Sequence, residues 1–244
     1  MNKNIWGLKG TLFWGVVIGV LLAIGQIIPL YLYALSVEPS VSMNTLRRYL
    51  ALMQSDAFLL SISAIGSTLL VVPLVLLIAK LKKGSQLHDY FPFRIVPLKE
   101  FAFWFSLAIG LIILENQILT LTDMPEIPDF MLNIKFPNQL SIWLLVIGVA
   151  FFAPFLEEII FRGFLLKGLS NSFLGIHGAV IITALVWAVI HAQYSWEYWI
   201  IIFVIGLVFG YARVKTNSLL TPVVMHILFN LMATIELYNE KGIL

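Results

Sequence analysis

The chain has 244 residues, of which 60% are apolar and only 11% are charged, and its mean hydropathy is +0.96. A soluble domain of this composition would have too little polar surface to face water. The net charge of +2 offers no extended basic surface, so nucleic acid is not an expected partner. Because the chain has no cysteine, disulfides, thiolate nucleophiles and cysteine-ligated metals are excluded.

Apolar segments of about 20 residues, enough to cross roughly 30 Å of hydrocarbon as a helix, recur along almost the whole chain. Lipid offers backbone groups no partner, and the short alternating pattern of membrane barrel strands is absent. The sequence therefore predicts an all-α, polytopic transmembrane helix bundle. Seven spans are predicted, with an eighth, short or re-entrant one as an alternative: 11–35, 57–81, 101–121, 141–166, 177–193, 196–214 and 219–238.

Lysine and arginine are distributed unevenly between the predicted loops. The loop after the second span is rich in lysine, whereas the loop after the third carries Asp123, Glu126 and Asp129. By the positive-inside rule the basic loops are predicted to be cytoplasmic. Arg47 and Arg48 oppose this assignment, because it places them in the first external loop.

No repeat, low-complexity tract or soluble domain interrupts the pattern, which favours one membrane domain. Within it, residues 1–140 are expected to supply the N-terminal transmembrane helices and an interfacial segment, and residues 141–244 the helices that carry the chemistry. The short chain without long loops favours a multi-pass protein of a prokaryotic plasma membrane.

The fourth predicted span contains three charged residues, Glu157, Glu158 and Arg162. Each would cost roughly 2.5 to 3.5 kcal/mol at the centre of a lipid-exposed helix, so they are expected to face protein or a water-filled cavity. Glu158 and Arg162 are four residues apart and can pair on one helix face. Glu157 points about 100° away and remains available for proton transfer. Alternatively, all three mark the cytoplasmic end of the helix.

Two further spans carry polar residues four positions apart. The fifth contains Trp187 and His191, and the seventh contains His226 and Asn230. Each pair has a structural interpretation, as packing or as hydrogen-bonding residues between helices. The convergence of three such faces favours hydrolysis, because a carboxylate and a neutral imidazole activate water while an imidazole and an amide stabilise an oxyanion.

These motifs, Glu157-Glu158-x-x-x-Arg162-Gly163, Trp187-x-x-x-His191 and His226-x-x-x-Asn230, resemble in order those of the CPBP family of intramembrane proteases. That family includes the type II CAAX prenyl endopeptidases and proteins of bacteriocin processing and immunity. The resemblance runs from about residue 152 to 231. Trp187 departs mildly from the family pattern, where phenylalanine is commoner.

The resemblance implies roles for each of these residues. Glu157 and His191 would activate the attacking water, His226 with Asn230 would form the oxyanion site, and Glu158, Arg162 and Trp187 would support them. Glu157, His191 and His226 are the only candidates for a zinc site, which could in principle leave one position open for water. Metal dependence is therefore left open.

The leading hypothesis is an endopeptidase acting on a membrane-associated peptide or protein, including lipidated CAAX-like substrates, that enter from the cytoplasm or the bilayer. A non-catalytic membrane scaffold or bacteriocin self-immunity protein could use the same polar core. A proton-coupled transporter is the third class, suggested by Glu115, Asn116 and Gln117 in the third span. Glu115 is also interpretable as a structural hydrogen-bonding residue.

Overall fold

The computed structural model describes residues 2–244 and contains no β-strand in that part of the chain. Its main helices are α1 (Leu8–Val37), α2 (Met43–Met53), α3 (Ala57–Lys80), α4 (Leu98–Leu121), α5 (Gln139–Ser170), α6 (Gly175–Ile190), α7 (Trp196–Thr216) and α8 (Leu220–Glu240). Two single turns, Leu87–Tyr90 and Asp129–Leu132, lie in the loops before and after α4.

Six of these helices are long and apolar enough to cross a membrane, and α6 is a shorter apolar helix of 16 residues. The protein is an integral, multi-pass membrane protein with an all-α bundle of about seven spans, as predicted. The predicted fifth span extended to residue 193, whereas α6 ends at Ile190 because the backbone of His191 leaves the helical region. The additional helix, α2, has only 11 residues and is too short to span.

The bundle has the polarity expected in lipid. Large apolar side chains such as Val16, Leu69 and Phe103 are exposed on its outside, whereas α3 buries serine and threonine hydroxyls on its inner face. Ser63 donates from its hydroxyl to the carbonyl of Gln26 on α1 at 3.1 Å. Small hydroxyl residues of this kind let membrane helices approach closely and bond to one another.

The N-terminus and the α3–α4, α5–α6 and α7–α8 loops lie at the same end of the bundle. We call this end the basic end. The Trp6 amide donates to the hydroxyl of Tyr90 at 2.7 Å, and the Leu219 amide to the carbonyl of Pro92 at 2.8 Å. Burial raises the pKa of Tyr90 to about 12, so this hydroxyl stays neutral at physiological pH. Helix α2, the α4–α5 and α6–α7 loops and the C-terminus lie at the opposite end. We call this end the acidic end.

Helix α5 crosses α3 closely at Gly148. A β-carbon at this position would lie 3.0 Å from both the Cα and the carbonyl oxygen of Ser61, which are backbone atoms that cannot move independently of α3. Gly110 on α4 provides the contrast, because a β-carbon there would meet nothing within 4 Å.

Replacing Gly148 by valine should therefore destabilise the bundle by about 1 to 3 kcal/mol through overpacking, whereas Gly110→Val should leave its stability almost unchanged. Thermal unfolding of the two purified variants in detergent, followed against the native chain, checks this. Equal melting temperatures for the two variants would contradict the close crossing of α3 and α5.

Candidate active site

The segment of α5 that carries the glutamates is flanked by two π-helical segments, Val146–Phe152 and Ile159–Leu165. Such irregular turns occur frequently at functional sites. In the first, the Ala153 amide donates to the carbonyl of Gly148. The carbonyl of Val149 should then pair with residue 154, but Pro154 has no N–H. Instead, the side-chain amide of Asn230 on α8 donates to it at 2.8 Å.

Glu158 and Arg162 form the predicted ion pair, which is thereby confirmed. The Nη1 of Arg162 lies 3.0 Å from the Oε1 of Glu158, and both side chains are fully buried. The other terminal nitrogen of Arg162 donates to the carbonyl of Gly206 on α7 at 3.2 Å. The guanidinium also lies 4.5 Å from the ring centre of Trp187, a cation–π distance. One arginine thus links α5, α6 and α7.

Glu157 points away from this pair and towards α6 and α8. Its Oε2 accepts a hydrogen bond from the indole nitrogen of Trp187 at 2.6 Å and lies 3.9 Å from the Nε2 of His226. The Nδ1 of His226 lies 3.0 Å from the Oε1 of Glu158. A carboxylate only accepts, so Nδ1 carries hydrogen and Nε2 faces Glu157. Unlike Glu158, Glu157 is 21% exposed.

His191 follows the last residue of α6, and its ring orientation is set by the backbone. Its Nδ1 lies 2.7 Å from the carbonyl oxygen of Trp187, so Nδ1 is the donor and Nε2 of the neutral ring keeps a free lone pair. The backbone carbonyl of His191 accepts from the indole nitrogen of Trp199 at 2.9 Å and from the Tyr194 amide at 3.0 Å. These bonds hold the turn that presents the imidazole.

Trp187 is the side chain around which the site is arranged. Its ring centre lies 5.2 Å from that of His191 and 5.2 Å from that of His226, both in edge-on geometry, while its indole nitrogen bonds to Glu157. It therefore contacts two histidines, one glutamate and Arg162. Trp187 therefore both lines the cavity and orients the Glu157 carboxylate through its indole nitrogen.

A cavity of about 130 Å³ lies beside these residues and has room for several water molecules. Trp187, His191, His226 and Asn230 line it, with Glu157 at its inner edge against Trp187 and His226. The cavity extends towards the acidic end, where its lining includes Glu115, Asn116, Glu126, Tyr194 and Glu236. The second and third predicted motifs therefore line one cavity, and Glu157 of the first motif contacts Trp187 beside it.

Several residues that contribute to the site were not predicted from the sequence. Phe209 contacts Arg162, Trp187 and His226 but is an ordinary apolar residue in sequence. Gly206 supplies a carbonyl, and a β-carbon there would lie 3.0 Å from the Trp187 ring. The four-residue spacing of Gly206 and Gly210 could have predicted a close contact of α7 with another helix, because small residues at this spacing allow close helix packing.

Zinc does not fit this arrangement. Within residues 2–244, no three histidine, aspartate or glutamate side chains converge closely enough to hold a metal ion. The reason lies in the hydrogen bonds: Glu157 accepts from Trp187, and the Nδ1 of His226 is held by Glu158. We therefore derive no catalytic step through a metal.

The comparison with protein families agrees with this geometry. The family model described as type II CAAX prenyl endopeptidase, Rce1-like, matches residues 139–232. Residues 139–232 form an Rce1-like domain. The match supports a CAAX-type intramembrane protease at family level, and the Rce1-like domain contains α5, α6, α7 and most of α8. No curated protein and no solved structure matches the chain significantly.

The buried pair of the Rce1-like domain yields a stability prediction. Arg162→Met should leave Glu158 ionised in an apolar interior and cost about 3 to 5 kcal/mol, whereas the double variant Arg162→Met/Glu158→Gln should recover a large part of that loss. Glutamine can still accept the hydrogen bond from His226. Unfolding free energies of the native chain, both single variants and the double variant form the cycle that checks this. Additive losses would show that the two charges do not compensate one another.

Proposed function

We propose that this protein is an intramembrane endopeptidase that hydrolyses a peptide bond of a membrane-associated or lipidated, CAAX-like substrate. The observation that carries the proposal is that Glu157 and His191 both contact Trp187, which lines one cavity within a membrane bundle. Both present an oxygen or nitrogen that can accept a proton. The Rce1-like family supports the same class of reaction.

Glu157 and His191 activate water in this proposal. The Oε2 of Glu157 is held by Trp187, which leaves Oε1 to accept a proton, and His191 has its lone pair on Nε2. A water molecule held between them loses a proton as its oxygen attacks the carbonyl carbon of the scissile bond. The same proton then passes to the leaving amine as the carbon–nitrogen bond breaks. No covalent intermediate with the protein is required.

His226 and Asn230 stabilise the oxyanion that forms on the carbonyl oxygen. His226 acts in this step as an imidazolium, which has a hydrogen on each ring nitrogen, and its Nδ1–H is held by Glu158. The imidazolium then presents an Nε2–H donor beside Glu157. Asn230 uses one amide hydrogen for the carbonyl of Val149, and its second remains for the substrate. Fixed donors of this kind are typically the largest contribution to such catalysis.

The arrangement suits hydrolysis better than transport. A transporter needs a polar path between the two faces of the membrane. Beneath the site, Arg162, Phe164 and Phe209 are fully buried, and Tyr90, also fully buried, stacks on Phe164 at 5.6 Å. The cavity therefore ends at this layer, and Glu115 lines its outer part.

Replacing Glu157 by glutamine should lower proteolysis at least about 100-fold, because the amide cannot accept the proton of water. The fold should be retained, since the glutamine oxygen can still accept from Trp187. The measurement compares the N- and C-termini of membrane proteins in cells carrying the native chain or the variant at equal expression. Termini lost in the variant identify the substrate.

The histidines provide a matched control. His191→Ala should reproduce the loss seen with Glu157→Gln, whereas His177→Ala should not, because His177 bonds to Tyr211 away from the cavity. Identical termini in native and Glu157→Gln cells, with the variant folded and the cellular phenotype retained, would favour the non-catalytic scaffold or self-immunity protein.

A further inference from the structure

The two ends of the bundle differ sharply in charge. Of the fifteen lysines and arginines, only four lie at the acidic end, whereas most of the thirteen aspartates and glutamates do. The four basic exceptions are Arg47, Arg48, Lys135 and Lys241. The loops at both ends are short, which is the condition under which the positive-inside rule applies. The basic end is therefore the cytoplasmic one.

Two of these four basic residues, Arg48 and Lys241, make local contacts that account for their position at the acidic end. Arg48 is paired with Glu38, and its guanidinium also lies 5.2 Å from the ring centre of Tyr49. The ammonium group of Lys241 donates to the carbonyl of Leu132. These contacts hold the two side chains at the acidic end, while the excess of lysine and arginine at the basic end remains.

The cavity runs from the site to the acidic end. On α8 its lining extends from His226 to Glu236, about 15 Å along the helix axis. On α7 it extends from Phe209 towards Tyr198, in the same direction. The mouth is formed by the α4–α5 loop and by Tyr194, whose ring packs edge-on against Phe130 at 4.7 Å.

On the side of the basic end, a layer of fully buried side chains follows the cavity. Phe209 lines the inner end of the cavity, Arg162 lies against it, and Phe164 and Tyr90 lie beneath them, all fully buried. Water and polypeptide can therefore reach Glu157 and His191 through the mouth at the acidic end. This differs from the expectation that substrates enter from the cytoplasm or the bilayer.

We infer that the active-site cavity opens to the non-cytoplasmic side, and that the substrates are peptide segments exposed at that face. The class comprises exported peptides and the extracytoplasmic segments of membrane proteins. Of the substrates proposed above, it includes a lipidated, CAAX-like chain only where the cleaved segment lies at the non-cytoplasmic face. The substrate class rests on the proposed endopeptidase function, whereas the direction of opening rests on the charge distribution and the cavity alone.

The absence of cysteine allows a direct test of the opening. Three single-cysteine variants are used: Ala233→Cys inside the cavity, Glu126→Cys at its mouth and Lys83→Cys at the basic end. Intact cells are treated with a membrane-impermeant methanethiosulfonate. Ala233→Cys and Glu126→Cys should react at least tenfold faster than Lys83→Cys, and the order should reverse in inverted membrane vesicles. Met232→Cys, on the same cavity wall, replaces Ala233→Cys if that variant misfolds.

Two results would overturn the inference: reaction of the cavity cysteine in inverted vesicles only, or cleavage sites that depend on Glu157 and lie in cytoplasmic segments. Cleavage sites in non-cytoplasmic segments support it. Labelling needs no catalysis, so a failure of the proposed protease function appears separately, as the absence of any terminus that depends on Glu157.

Discussion

The ion pair of Glu158 and Arg162 is the interaction on which the site depends. Two charges without water are tolerated only when they are paired and their remaining groups are bonded. Arg162 is paired with Glu158 and also contacts the carbonyl of Gly206 and the face of Trp187, and the Oε1 of Glu158 also accepts from His226. Within the described residues only the Nε of Arg162 and the Oε2 of Glu158 are left without a hydrogen-bond partner in this pair. Four helices are thereby held at one point. Moving any of them would leave a charge exposed to hydrocarbon, so the pair fixes the relative positions of α5, α6, α7 and α8.

A second constraint acts on the backbone. Pro154 removes a donor from α5 next to the glutamates, and the π-helical turn before it changes the register of hydrogen bonds. In lipid an unpaired carbonyl costs several kcal/mol, and Asn230 supplies the missing donor. The same side chain thus holds α8 against α5 and lines the cavity. Thr68 has a related role on α3, since its hydroxyl donates to the carbonyl of Phe152 at 3.0 Å.

Much of this architecture was predictable from the sequence, for identifiable reasons. Span lengths follow from the thickness of the bilayer, and the pairing of Glu158 with Arg162 follows from helix geometry. The bond from Trp187 to Glu157 was not predictable, because it joins residues on different helices and depends on the crossing of α5 and α6. Phe209 could not be assigned to the site from sequence because it is an ordinary apolar residue. The end of α6 at Ile190 could not be predicted because the residues before and after it are mostly apolar. The direction of the cavity depends on how α4 and the loops pack together, and no local sequence pattern predicts that packing.

Hydrolysis inside a membrane requires water at a place from which lipid excludes it. Glu157 is partly exposed while its neighbour Glu158 is fully buried, so adjacent residues on one helix occupy opposite sides of the boundary between cavity and protein interior. The buried glutamate holds the helices, and in the proposed mechanism the exposed one faces the substrate. In the proposed mechanism, a cavity whose inner end is lined by Phe209 with Arg162 against it admits water and polypeptide through the same opening. If the inferred opening is correct, the buried layer around Arg162 therefore also determines the face of the membrane from which the substrate comes.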